Sequence, residues 1–257
     1  MEQTNCVLAS LPTEQAARLQ RYLHAVELRQ GERLMRAGEE IGQVIFPQSG
    51  VVSMVVTMED GIAVETAMVG REGVIGASSV PGPMPAWNDA IVQVPGSALA
   101  MACGLLSEAL DDMPMLRRAI ARCEAALLAQ AQQSAACNAM HSAEARICRW
   151  LLELRDRCDD VIPMTQEYLS EMLGLQRTTV TLIASRLQAI DAIRCRRGKI
   201  RILDRAALER GACECHARMR RYSQHSGVVA AVATTGSFDR GAAITVHAGV
   251  AGRDRPM

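Results

Sequence analysis

Apolar positions along the 257-residue chain repeat in two ways, and the two patterns occupy separate stretches. From Glu27 to about Val94, short β-branched runs at 51–56, 62–69 and 91–94 are punctuated by Gly31, Gly38, Gly50, Gly61, Gly70 and Gly73. Regularly spaced strands with glycine turns predict an antiparallel barrel or sandwich. Glu59-Asp60-Gly61 marks a tight hairpin, because glycine accepts the positive φ such turns require. Ahead of these strands, Leu11-Pro12-Thr13-Glu14-Gln15 opens a helix expected to end near Val26. Behind them, Pro81-Gly82-Pro83-Met84-Pro85 leaves regular structure, and short elements lead from Pro95-Gly96 to Pro114.

Pro114 then starts a helix that nothing breaks before about Asn138. Leu116, Ile120, Cys123 and Leu127 follow 4-3-4 spacing, continued near Gln130 and Ser134, which is a coiled-coil-like stripe. Such a stripe faces either a core or a second copy. With no neighbouring helix in view to cover it, a dimer seam is the expectation. A further helix spans roughly 142–157, with Ile147, Trp150, Leu151 and Leu154 on one face.

The next stretch has the strongest local signals. Thr165 is placed as the N-cap of a short helix, Glu167 lies in its first turn, and Gly174 ends it. A second helix follows from about Gln176 to Ala189, with Val180, Ile183 and Leu187 as its buried stripe. At about 100° per residue, Thr178, Leu182 and Ser185 fall on the opposite side, with Arg177 at the N-terminal lip. Two short helices joined by a glycine turn form a helix-turn-helix. Residues 193–202 alternate around Gly198 and read as a basic hairpin, a wing, carrying Lys199, the chain's single lysine.

Charge sharpens this division. Residues 1–145 carry nine basic and sixteen acidic side chains, whereas 146–222 carry sixteen basic and ten acidic. A basic module joined to an acidic one suggests that the second half faces a polyanion. No apolar run is long enough to span a membrane, and the start of the chain lacks the features of a secretory signal, so a cytoplasmic location is expected. Nine scattered cysteines show no disulfide framework, and Cys123, Cys137 and Cys148 read as core residues. Cys213-Glu214-Cys215-His216 alone looks metal-like. A zinc site needs about four converging ligands, no second cluster is apparent, and no metal or cofactor is expected. No Walker loop, dinucleotide fingerprint or nucleophile–base motif points to an enzyme.

Residues 164–209 closely resemble the DNA-binding domain of the Crp/Fnr family of regulators, through Thr165-Gln166-Glu167, Leu169, Met172-Leu173-Gly174, Arg177-Thr178-Thr179-Val180, Leu187 and the stretch from Ile193 to Leu203-Asp204. Phe46-Pro47 to Gly50 and Gly70-Arg71-Glu72-Gly73-Val74-Ile75-Gly76 extend the resemblance upstream, so that it spans roughly 15–222. The resemblance implies an α+β fold with a double-stranded β-roll at 11–113, a dimerisation helix at 114–140 and a winged helix-turn-helix at 141–222. Beyond Tyr222 the sequence turns Gly-, Ala-, Ser- and Thr-rich without a clear period, so 223–257 is expected to be a disordered tail. The resemblance further implies a homodimer that reads an inverted repeat in double-stranded DNA and meets RNA polymerase. Arg177 matches the family's base-reading arginine, while Thr178 and Leu182 stand where members carry other readers. Gln176, Thr179, Thr165 and Gln166 are placed for phosphate contacts, Ser185 shares the outer face, and Arg197 and Lys199 add charge from the wing.

The first domain departs from the cyclic-nucleotide-binding members. Ala77 stands where the ribose-binding glutamate belongs, and Trp87-Asn88 replace the arginine and serine or threonine of the phosphate clamp. No Lys or Arg occurs between Glu72 and Leu116. A buried phosphate without a counter-charge is costly, so the effector is left unidentified and cyclic AMP is not expected. Cys6 stands alone near the N-terminus, which does not suit an iron–sulfur cluster. The competing class is a ligand- or redox-sensing protein that acts through protein partners and retains a vestigial DNA domain.

Overall fold

The computed structural model describes residues 5–79, 82 and 84–225. Asn5 caps helix α1 (Cys6–Ala9), its carboxamide oxygen accepting from Val7 N and Leu8 N. Helix α2 (Thr13–Gln20) stops well short of Val26. The chain turns there because His24–Leu28 alternates as strand β1 and pairs antiparallel with a late strand, Val26 facing Ala98.

Strands β2 (Arg33–Met35), β3 (Gln43–Pro47), β4 (Val51–Thr57), β5 (Ala63–Val69), β6 (Asp89–Val94) and β7 (Gly96–Ala102) complete the β-roll. They form two antiparallel sheets, ordered β1-β7-β3 and β2-β6-β4-β5. Leu28, Ile45, Val52, Val69, Val92 and Ala100 fill the space between them. The β4–β5 hairpin turns at the expected glycine: Gly61 has φ +85°, and Met58 N donates to Ile62 O at 2.8 Å.

Helix α3 (Cys103–Asp112) leads into the long helix α4 (Pro114–Met140). Here one expectation is corrected. Leu116, Ile120 and Cys123 are 0, 6 and 3% exposed within a single chain. They pack against Val7, Leu8, Phe46, Leu106 and Leu110, so α1, α3 and the roll cover the stripe assigned to a dimer seam. Leu127 is half-buried and packs against the core of the roll. Gln130 continues the stripe by clamping the Met68 backbone, accepting from its N and donating to its O, both at 3.2 Å. The opposite face of α4 is exposed and carries Ala121, Ala125, Leu128, Gln132, Ala135 and Ala139 at 4-3-4-3-4 spacing.

Helix α5 (Ala143–Arg155), capped by Ser142, buries Ile147, Trp150, Leu151 and Leu154. Strand β8 (Val161–Ile162), helices α6 (Gln166–Leu173) and α7 (Arg177–Ala189), strands β9 (Ile193–Arg196) and β10 (Lys199–Ile202), and helices α8 (Arg205–Gly211) and α9 (Cys215–His225) follow. The last three strands form a small sheet, β8-β10-β9. This domain shares one apolar cluster with Val51, Val55, Met68 and Val94 of the roll. Trp150 Nε1 donates to Glu65 Oε1 at 2.8 Å, and Arg157 pairs with Glu72 at 2.6 Å across the same junction. Of the tail expected from 223, residues 223–225 close α9, and 226–257 lie outside the described residues. No helix among the described residues is long and apolar enough to cross a membrane.

Candidate nucleic-acid interface

Local sequence sets the geometry of the two helices. Thr165 takes an extended backbone, and its Oγ1 accepts from Tyr168 N at 3.1 Å, capping α6. Gly174 sits in the left-handed region at φ +59°, where a side chain would be strained. Its N–H and that of Leu175 donate to Glu171 O and Ser170 O at 3.1 and 2.9 Å, which closes the helix and turns the chain sharply. Two residues later α7 begins, with Gln176 as an N-cap that makes no side-chain cap bond. The first-turn N–H groups of α7 therefore remain open for an anion.

Val180, Ile183, Ala184 and Leu187 anchor α7 to the core. The outer side presents Gln176, Arg177, Thr178, Leu182 and Ser185 to solvent, while Thr179 is half-buried. Leu182 is 54% exposed, an apolar group held outward on an otherwise polar surface. The Ser185 hydroxyl donates back to Thr181 O at 2.9 Å, so its lone pairs are what it offers outward. Arg177 pairs with Glu167 at 3.0 Å, both side chains mostly exposed. Such a pair is worth about 0.2–1 kcal/mol and yields readily to a stronger acceptor. Thr165 is exposed and Gln166 half-buried at the start of α6.

In the wing, β9 and β10 meet through a two-residue turn in which Arg197 and Gly198 have φ of +49° and +73°. Arg197 and Lys199 are both exposed. Arg196 faces Lys199 across the strands, and Arg194 faces Arg201, all four exposed. Like charges on facing positions repel; a polyanion laid over them reverses the sign of that interaction. Arg194, Arg196 and Arg201 were not singled out from the sequence. Their alternation with inward Ile193, Ile200 and Ile202 is the signal that finds them.

The first domain presents no comparable cationic face at its clamp positions. Ala77 is buried in a short 3-10 turn, Trp87 is 86% exposed, and Asn88 Nδ2 donates to Asp89 O at 2.9 Å. Of the cations on the neighbouring segment, Arg33 of β2 pairs with the buried Asp89 at 3.5 Å and Arg36 is exposed. Asp89 also accepts from Ala37 N at 2.8 Å. Cys123, Cys137 and Cys148 are buried, and Cys123 and Cys148 keep the core role read from the sequence. Burial pushes the thiols of Cys123, Cys148 and Cys158 up to about 12, 11 and 11, far from the range of reactive thiolates.

Cys213 and Cys215 do acquire a second pair of neighbours that sequence spacing did not show. Cys137 and His141, at the end of α4, converge on them.

Two family models match the chain: the cyclic nucleotide-binding domain over residues 25–113 and the Crp-like helix-turn-helix domain over 145–211. No curated protein matches it. Among solved structures, FixK2 from Bradyrhizobium japonicum superposes with TM-score 0.64 at 20% identity, covering 74% of this chain and 98% of its own. A crp/fnr-family transcriptional regulator from Eubacterium rectale gives 0.64 at 15%, covering 82 and 97%. The c-di-GMP responsive global regulator CLP of Xanthomonas campestris gives 0.62 at 16%, covering 75 and 100%. At these identities the structures speak for the fold, and the two domain models in their order speak for the family. With its β-roll, long helix and winged helix-turn-helix, the chain belongs to the Crp/Fnr family of DNA-binding transcription regulators.

Proposed function

We propose that the chain acts as a homodimer that reads an inverted repeat, joined along the outer face of α4 and controlled by something other than a cyclic nucleotide. The observation that carries the DNA reading is the outward polar start of α7 together with a wing bearing two facing pairs of cations. Arg177 has the fork geometry to read guanine O6 and N7, and Leu182 suits a thymine methyl. Thr178 lies beside them on the outer face. Gln176, Thr179, Thr165, Gln166, Arg197 and Lys199 hold the phosphates, and the lone pairs of Ser185 accept from a base edge or a bound water.

The dimer reading rests on the exposed stripe of Ala121, Ala125, Leu128, Gln132, Ala135 and Ala139. Small residues at heptad spacing let two helix backbones approach closely, with Leu128 as the apolar centre. The effector reading rests on the clamp positions themselves, where Ala77, Trp87 and Asn88 offer no cation and the nearby Arg33 is paired with Asp89.

Leu128→Glu tests the dimer. Light scattering is expected to show monomers for the variant and dimers for the parent. Its affinity for an operator duplex should fall at least about tenfold, because half of the paired half-site contact is lost. A variant that remains dimeric removes the outer face of α4 from the interface.

A further inference from the structure

Four ligand-type side chains meet where the long helix ends. Cys137 and His141 lie one turn apart on α4 and its C-cap, and Cys213 and Cys215 flank the start of α9. The Sγ atoms of the three cysteines and a ring nitrogen of His141 all lie within 4.8 Å of one another. Cys137 Sγ is 3.5 Å from Cys213 Sγ, and Cys215 Sγ is 3.5 Å from His141 Nδ1. Tetrahedral zinc, with bonds of about 2.3 Å to sulfur and about 2.0 Å to nitrogen, sets neighbouring ligand atoms about 3.6–3.8 Å apart. The cluster is already close to that size. A disulfide, at about 2.05 Å, is not what these positions describe.

The surroundings match as well. His141 Nε2, the ring nitrogen facing away from the cysteines, lies 3.3 Å from Glu214 Oε2. A carboxylate there fixes the tautomer that leaves Nδ1 free to ligate. Gln133 Nε2 donates to Cys215 Sγ at 3.0 Å, a bond that a thiolate accepts better than a thiol. Arg149, 5% exposed, and Arg146 both interact electrostatically with Cys137. A divalent cation with three thiolates and a neutral imidazole carries one net negative charge; Arg146 faces it with positive charge, as does Arg149, which also pairs with Glu153 at 3.2 Å.

We infer that Cys137, His141, Cys213 and Cys215 form a structural zinc site that fastens α9 to the end of α4. Binding releases up to three thiol protons to solvent and leaves the metal with no open position, so the site holds structure rather than performing chemistry. It bridges the 141–142 turn, where the chain passes from the long helix into the DNA-binding domain, and restrains the orientation of that domain.

The test uses the full chain purified in reductant, loaded with zinc and desalted. About one zinc per chain is expected, and cobalt substitution should give intense thiolate-to-cobalt charge transfer with tetrahedral d–d bands. The Cys213→Ser/Cys215→Ser double variant should lose at least about nine-tenths of the metal, while Cys158→Ser, which is not one of the four ligands, should keep it. A parent chain that is folded by circular dichroism yet retains no zinc would overturn the inference. So would a cobalt spectrum without thiolate charge transfer, or a Cys137–Cys213 disulfide that persists in reductant. Should the double variant fail to fold, the cobalt spectrum of the parent decides. Metal content is read without DNA, so failure here leaves the DNA-binding reading standing.

Discussion

The two domains use their polar groups in opposite ways. In the DNA-binding domain, Arg194, Arg196, Lys199 and Arg201 are exposed, Arg194 pairs only loosely with Asp191 at 3.9 Å, and Arg177 has a weak surface partner in Glu167. In the β-roll, groups beside the expected clamp pair with one another: Arg33 with Asp89, Asp89 with Ala37 N, and Asn88 with the backbone. A surface that leaves cations facing one another is arranged for a partner of opposite charge. A surface whose charges are already satisfied is not. The difference supports the proposal that recognition belongs to the second domain and that the first answers to something other than a cyclic nucleotide.

That contrast breaks most severely in the core of the first domain. Ile120→Glu places a charge among Val7, Leu106 and Leu110 and should cost at least about 3 kcal/mol, read as a lower urea midpoint. An outer-face charge at Leu128 should leave the far-ultraviolet circular dichroism of the chain near that of the parent. Equal destabilisation by the two would erase the distinction between the faces of α4.

A smaller effect belongs to the junction. Lost hydration raises the Glu65 carboxyl from 4.5 to about 8, and Glu153 adds repulsion, against the bonds from Ser53 and Trp150. Between those values the folded chain holds a proton that the unfolded chain releases, so stability falls as pH rises through the window. Glu65→Gln keeps an acceptor for Trp150 and should flatten that slope in thermal melts. An unchanged slope would remove Glu65 as its source.

The smallest expected effect is none at all. Titration calorimetry with cyclic AMP should show no saturable micromolar binding, since loss of the clamp arginine alone weakens affinity about tenfold to a hundredfold. Micromolar binding that raises DNA affinity would show that Arg33 leaves Asp89 to serve the phosphate.

What the sequence made legible follows how local each signal is. The helix-turn-helix is written in neighbouring residues: Thr165 caps, Gly174 stops, and Val180, Ile183 and Leu187 orient α7, all within about two turns of what they control. The faces of α4 are not, because two stripes of heptad spacing run along one helix. Hydrophobicity favours Leu116, Ile120 and Leu127; α1 and α3 settle the burial of the first two, and the roll half-buries the third. Strand β7, with Ala98, Ala100 and Ala102 in place of β-branched residues, lacked local strand propensity and is fixed by pairing with β1 and β3. The cysteine cluster joins residues more than seventy positions apart; its local hint was Cys213-Glu214-Cys215-His216, and the partners Cys137 and His141 come from a distant helix end.

Selection of bound sites from a random pool of duplexes, with the parent chain and Arg177→Ala in parallel, tests the central claim most directly. The parent should enrich an inverted repeat with half-site centres ~10 base pairs apart, because a two-fold dimer reads one face of the duplex. Arg177→Ala should lose preference at one guanine in each half-site, a penalty of about 1–3 kcal/mol there, while the spacing persists. Enrichment of single half-sites, or an Arg177→Ala profile identical to the parent, would contradict the account.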